Sequence, residues 1–276
     1  MKRLTKGVVA VLAATLAVGL IAGCSSQSAA SGSASASTAA SASAASGQNQ
    51  EALVKELTDA LASVPAFSSV TVNEEVTSVY SADDDSVEST STFKFDISSD
   101  PLRTSATMDV EGTITQFFTA GGDAVYVADG SAYSGTVEQF AIPFANGFDA
   151  YIASTIGDLN VLIDCASAVE KDVVNASTVY RLTLDPEKYI ATDEALGILA
   201  DTGSPVQEAY VTIGFDDNGR IASIDQAVNY GTSTISKTLS IADYDSTSVE
   251  PIPEATKTFE DLQAEIEASV RTMVIE

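Results

Sequence analysis

The chain has 276 residues, 39 of them acidic and 13 basic, with a formal net charge of −26 at pH 7. A surface of this charge repels nucleic acid, so we expect no nucleic-acid partner. The sequence contains no histidine and no Gly-rich phosphate loop, and Cys165 is the one cysteine beyond Cys24. This composition excludes a serine–histidine hydrolase and a histidine–cysteine zinc cluster. We therefore expect a protein that is not an enzyme and has neither a cofactor nor a metal.

The N-terminus has the pattern of an export signal. Lys2, Arg3 and Lys6 precede an apolar run over residues 8–21, which is shorter than the ~20 predominantly apolar residues of a membrane-spanning helix. The run ends in Leu-Ile-Ala-Gly-Cys at residues 20–24, which resembles the lipobox of bacterial prolipoproteins. The resemblance implies a signal peptide over 1–23 and acyl chains on Cys24 that hold the protein on the extracytoplasmic side of the cell membrane. The alternative is an ordinary signal peptide followed by an incidental cysteine.

Residues 24–50 are mostly serine and alanine. This composition lacks the apolar bulk needed for folding and predicts a disordered tether. A flexible coil of the 26 residues 25–50 has a reach of about 25–30 Å. Without the first 23 residues, the chain would carry 10 basic and 39 acidic residues.

Residues 51–276 are predicted to form one domain, which opens with a helix over 48–64. Leu53, Leu57 and Leu61 recur at helical spacing, and Pro65 ends the pattern. From residue 70 to 128, apolar residues alternate with Ser and Thr between turn residues, which predicts antiparallel strands. Residues 138–168 have mixed periodicity and predict one or two short helices packed across the sheet.

The second half of the domain continues the same alternation. A strand is predicted over 177–184, followed by a helix with Asp185 as N-cap and Pro186 at N1. The Asp-Asn-Gly sequence at 217–219 lies between two alternating runs and predicts a β-hairpin. A strand over 234–244 and a helix from Thr256 complete an α+β domain built as a long antiparallel meander.

This order of elements behind a lipobox resembles the LolA/LolB/LppX-type superfamily of lipoprotein carriers and lipid-binding lipoproteins. The resemblance rests on the hairpin at 209–230, the strand at 234–244 and the proline-bearing exit at 249–254. It implies a strongly curved antiparallel sheet, a half-open barrel, with helices covering the concave face. It also implies an apolar ligand, a lipid or lipid-linked precursor, in a cavity between the sheet and the helices.

Two features have both a functional and a structural interpretation. Asp83, Asp84 and Asp85 could offer oxygen ligands to Ca²⁺, but their spacing differs from that of an EF-hand and favours a solvated hairpin tip. Cys165 follows an apolar run, and without a histidine as base it is interpreted as a small buried hydrophobic residue rather than a nucleophile.

The sequence is compatible with two functions. In the first, the domain carries an apolar ligand, and the alternating strands line its cavity. In the second, it is a cell-envelope interaction module with a filled core, which acts through its acidic surface. Apolar residues at alternate positions of the strands are predicted to line this cavity: Phe95, Met108, Phe118, Val127, Ile213, Ile224 and Leu239.

Overall fold

The computed structural model describes residues 47–82, 85–140, 159–174, 177–196 and 205–273. These residues form one 12-stranded sheet and several helices. The helices are α1 (Gly47–Ala62), α2 (Pro186–Leu196) and α3 (Phe259–Met273), and residues 159–164 are also helical. The strands are β1 (Ser69–Ala82), β2 (Asp85–Ser99), β3 (Leu102–Val110), β4 (Thr113–Ala120), β5 (Asp123–Ala128), β6 (Ser131–Thr136), β7 (Ala166–Val174), β8 (Ser177–Leu184), β9 (Glu208–Phe215), β10 (Ile221–Asn229), β11 (Ser233–Ala242) and β12 (Lys257–Thr258).

The sheet consists of two antiparallel meanders, β1 to β6 and β7 to β11, joined along β1 and β11. The sequence predicts one continuous meander instead, because periodicity identifies strands but not which distant strands pair. β12 pairs in parallel with β6 at one edge, and β7 forms the other edge. The sheet is therefore mostly antiparallel and unclosed, consistent with a half-open barrel.

The junction between the meanders is the pairing of β1 with β11, which we call the seam. It runs over ten residue pairs, from Thr71 opposite Ala242 to Tyr80 opposite Ser233. Residues paired across two strands point their side chains to the same face of the sheet. The register of the seam therefore decides which face of one meander continues into which face of the other.

The helices begin and end close to their predicted positions. α1 buries Leu57 and Leu61 completely, and each such side chain contributes roughly 1.5–3 kcal/mol of burial free energy. Asp185 caps α2, because its Oδ1 accepts hydrogen bonds from the backbone N–H groups of Glu187 (2.9 Å) and Lys188 (3.2 Å). Within the described ranges, no helix combines the length and apolar composition needed to cross a bilayer.

The region predicted as helical over 138–168 is only partly so. Residues 159–164 are helical, but β7 begins at Ala166. The start of this strand was not predicted, because residues 166–168 are small, and residues 141–158 lie outside the described residues.

Asp83 and Asp84 also lie outside the described residues, between Ala82 and Asp85, which pair at the ends of β1 and β2. The predicted hairpin at 217–219 is confirmed, with Gly219 at φ +77°.

Residues 243–256, which we call the exit segment, cross one face of the sheet from the seam to β6. The backbone N–H of Thr247 donates to Ser69 Oγ (3.2 Å), and that of Glu250 donates to Ser105 Oγ (3.4 Å). At its far end, the N–H of Thr256 donates to the carbonyl of Ala132 on β6 (3.2 Å). We call this covered side the outer face.

A polar and aromatic cluster fastens the start of the exit segment to the end of the seam. Asp245 Oδ1 accepts from the N–H (2.7 Å) and hydroxyl (3.1 Å) of Ser68, and its Oδ2 accepts from Arg220 (2.7 Å). The Arg220 guanidinium lies 5.0 Å from the centre of the Tyr244 ring, and Tyr244 donates to the carbonyl of Ile221 (2.6 Å). The backbone N–H of Ser68 is the main cause of a lowered pKa at the Asp245 carboxyl.

The lowered pKa of Asp245 predicts a pH-dependent contribution to folding stability. Its contribution is present above the unfolded-state pKa of about 4 and is lost as the pH falls toward the lower folded-state value. We therefore expect Asp245→Asn to unfold at lower urea concentration than the wild type at pH 7, with the difference narrowing at pH 3. Asp217→Asn, in the neighbouring turn, is the control and should show a smaller difference. An Asp245→Asn deficit of the same size at both pH values would contradict the assignment.

Candidate ligand-binding face

The face opposite the exit segment is apolar across both meanders, and we call it the apolar face. In one row of paired positions, Phe95 on β2 lies between Val72 on β1 and Ala106 on β3. Phe117 and Tyr126 continue this row on β4 and β5. On the other side of the seam a second row follows the same face: Leu239, Ile224, Ile213 and Tyr180.

The structure brings five of the seven predicted cavity residues to this one face. They are all buried, and Ile213 and Phe95 are fully so: Phe95, Met108, Ile213, Ile224 and Leu239. Phe118 and Val127 lie on the outer face instead, because Phe118 pairs with Ser105 and Val127 with Gln116. That the five residues line a cavity stays a prediction.

The helices α1, α2 and α3 each contact a side chain of the apolar face. Glu56 of α1 forms an ion pair with Lys171 on β7. The Tyr189 hydroxyl of α2 accepts a hydrogen bond from the Gln226 amide on β10 (3.0 Å). At the opposite edge, Tyr133 on β6 donates to Glu265 of α3 (2.9 Å). The helices therefore lie on the side of the sheet where the apolar rows are.

Among the described helices, α1, α2 and α3 pack mainly near the two edges of the sheet. α1 packs against β7, α2 against β9, and α3 against β6 and β12. Several large apolar side chains on strands further from the edges stay half-buried: Phe93, Phe117, Ile235 and Ile241. This part of the apolar face therefore has apolar surface that is incompletely covered.

An ion pair crosses the seam within the apolar face. Lys237 Nζ on β11 lies 2.7 Å from Glu74 Oε2 on β1, and their side chains are 14% and 17% exposed. Lys237 lies opposite Gln226, so a polar strip extends from Glu74 through Gln226 to Tyr189 of α2. This strip was not predicted from the sequence, although Glu74 and Lys237 are charged residues at strand positions that alternate in step with the apolar ones.

The side chain of Gln50 covers part of the β7 edge. Its Nε2 donates to the Val169 carbonyl (3.1 Å), and its Oε1 accepts from the Val169 N–H (2.6 Å). These bonds replace those of a neighbouring strand and restrict edge-to-edge association at this point. The helix begins at Gly47, four residues before the expected start of the domain.

The remaining candidate groups are Cys165 and possible metal ligands. Cys165 is buried with 3% exposure, as predicted for a small hydrophobic residue. No group of three or more histidine, cysteine, aspartate or glutamate residues within the described ranges could hold a metal ion.

The Glu74–Lys237 pair predicts a coupled effect on stability. Removing one partner leaves a charge largely shielded from water, so we expect Glu74→Gln or Lys237→Met to lower the free energy of unfolding by about 1–3 kcal/mol, less than for a fully buried pair. The double variant should recover part of this loss, because neither charge is then left alone. Urea unfolding of all four proteins measures the coupling, and strictly additive losses would contradict it.

No protein-family model and no curated protein sequence matches this chain. Solved structures align with most of it at low identity. LprF from Mycobacterium bovis is 10% identical, with 75% of this chain and 98% of that chain aligned and a TM-score of 0.41. A LolA superfamily protein from Nitrosomonas europaea is 8% identical, with 74% and 94% aligned and a TM-score of 0.23.

Proposed function

We propose that the domain binds a lipid or lipid-linked precursor between the apolar face and the helices α1, α2 and α3. The observation that carries the proposal is the incomplete cover over the apolar face. Helices pack near the edges, while Phe93, Phe117, Ile235 and Ile241 keep part of their surface exposed. A bound acyl chain would remove this surface from water, which is favourable at roughly 25 cal/mol per Å².

The proposal includes attachment to the extracytoplasmic side of the cell membrane through acyl chains on Cys24. Gln50 of α1 is hydrogen-bonded to β7, so a tether that ends before α1 would join the domain at this edge of the sheet. The serine- and alanine-rich residues between Cys24 and this point would let the domain approach lipids without leaving the membrane.

The alternative is an envelope interaction module with a filled core. The observation favouring it is the complete burial of many apolar-face side chains, including Phe95, Val211 and Ile213. Such a module would act through its acidic surface. The two functions differ in whether the domain retains an apolar ligand, and this difference can be measured.

Lipid retention tests the proposed function. A protein without residues 1–23 and with Cys24→Ala should carry lipid that mass spectrometry detects in organic extracts. Ile235→Trp, which fills half-buried space on the apolar face that a bound acyl chain would use, should weaken lipid binding by about tenfold, which corresponds to about 1.4 kcal/mol.

The matched control for this test is Val127→Trp, at a half-buried position on the outer face. It should leave lipid binding unchanged. If the extracts contain no lipid and the protein does not bind added lipid, the carrier function is contradicted and the interaction module is favoured.

Membrane attachment is tested separately by fractionating cells that produce the full-length chain. The wild type should sediment with membranes and incorporate labelled palmitate. Cys24→Ala should lose the label and move to the soluble fraction, because its acyl chains supply the attachment. Cys165→Ala is the control and should stay with the membranes. Label retained by Cys24→Ala would contradict lipidation at this residue.

A further inference from the structure

Two hydroxyl groups on the apolar face are buried without a hydrogen-bond partner among the described residues. They are Tyr126 Oη on β5 and Thr115 Oγ1 on β4. The side chains belong to residues that are 0% and 1% exposed. A buried hydroxyl that has lost water and gained no partner destabilises the fold, and native proteins satisfy most such groups.

The register places these hydroxyl-bearing residues next to each other. Tyr126 pairs with Phe117, and Thr115 pairs with Ala128, so the two are diagonal neighbours on adjacent strands and on one face. Diagonal positions of this kind are about 7–8 Å apart between Cα atoms, within reach of a long side chain. Thr115 also lies opposite Met108, one of the predicted cavity residues.

Nearby residues of the same types on the same face do have partners. Tyr133, directly opposite Tyr126, bonds to Glu265 (2.9 Å) and Lys257 (3.4 Å). Thr119, on the same strand as Thr115, bonds to the Thr104 hydroxyl (2.7 Å). Other hydroxyl groups on this face are therefore hydrogen-bonded. The two that have no partner among the described residues belong to neighbouring residues, Tyr126 and Thr115.

We propose that Tyr126 and Thr115 form a polar subsite that donates hydrogen bonds to an ester carbonyl of the bound lipid. The inference rests on the proposed function and narrows its ligand to acyl esters. Both hydroxyls can donate, and a carbonyl oxygen has two lone pairs that can accept them. A phenylalanine and a valine would fill similar space without the unpaired groups.

The surroundings favour a neutral acceptor over an anion. Burial, with a smaller contribution from Asp129, raises the pKa of the Tyr126 phenol, so this hydroxyl stays protonated and able to donate. Its ring lies among aromatic side chains, 4.7 Å from Phe117 and 6.2 Å from Phe140 between ring centres. A free carboxylate placed among these rings would be buried without a paired cation, which is unfavourable.

Two lipids that differ only at the carbonyl test the subsite. The probes are dioleoylglycerol and its dialkyl ether counterpart, measured by displacement of a fluorescent apolar probe from the Cys24→Ala protein. The wild type should bind the ester about 2- to 10-fold more tightly, the range expected for one neutral hydrogen bond. Tyr126→Phe and Thr115→Val should each reduce this preference, and Tyr133→Phe and Thr119→Val should retain it.

Unfolding of the lipid-free protein supplies a second readout. Tyr126→Phe removes no hydrogen bond from the unliganded protein and should be at least as stable as the wild type. Tyr133→Phe should be less stable, because it removes the bonds to Glu265 and Lys257. An equal loss in both variants would show that the Tyr126 hydroxyl already has a partner and would overturn the subsite.

The outcomes separate this inference from the proposed function. If the wild type binds neither lipid, both fail. If it binds ester and ether equally, or if Tyr126→Phe keeps the full ester preference, the subsite fails while lipid binding stands.

Discussion

The pairing of β1 with β11 is the constraint on which the rest of the structure depends. It makes one sheet from two meanders. The two strands that join them, β1 and β11, lie far apart along the chain. Without this register, the apolar rows of Phe95 and Ile213 would belong to two separate small sheets. The Glu74–Lys237 ion pair crosses the seam on one face, and the Asp245 cluster fastens its end. The seam thus has charged as well as backbone contacts holding its register.

The local elements could be predicted from the sequence because their signals are local. The helical stripe of α1, the Asp185 cap and the turn ending in Gly219 each need only a few neighbouring residues. The seam could not be predicted this way, because Val72 and Ile241 carry no mark of their pairing across the chain. β7 was missed for a different reason, since its exposed residues after Val169 lack a regular apolar alternation.

The predicted cavity residues separate by face for the same physical reason. Alternation assigns parity within a strand, but it does not say which parity of one strand shares a face with which parity of the next. Phe118 is as buried as Leu239, yet its register with Ser105 puts it on the outer face. Both positions are buried, so burial does not distinguish them. Only the register between strands assigns each residue to the apolar face or to the outer face.

The two faces are covered by different means, and this asymmetry bears on where a guest would bind. The outer face is crossed by the exit segment, whose backbone bonds to Ser69 and Ser105. The apolar face instead receives helices near its edges and keeps half-buried side chains such as Phe93 between them. The hydroxyls of Tyr126 and Thr115, which have no hydrogen-bond partner among the described residues, lie on this second face. Incomplete apolar cover and unsatisfied donors thus occur on the same side of the sheet, where one amphipathic ligand would relieve both.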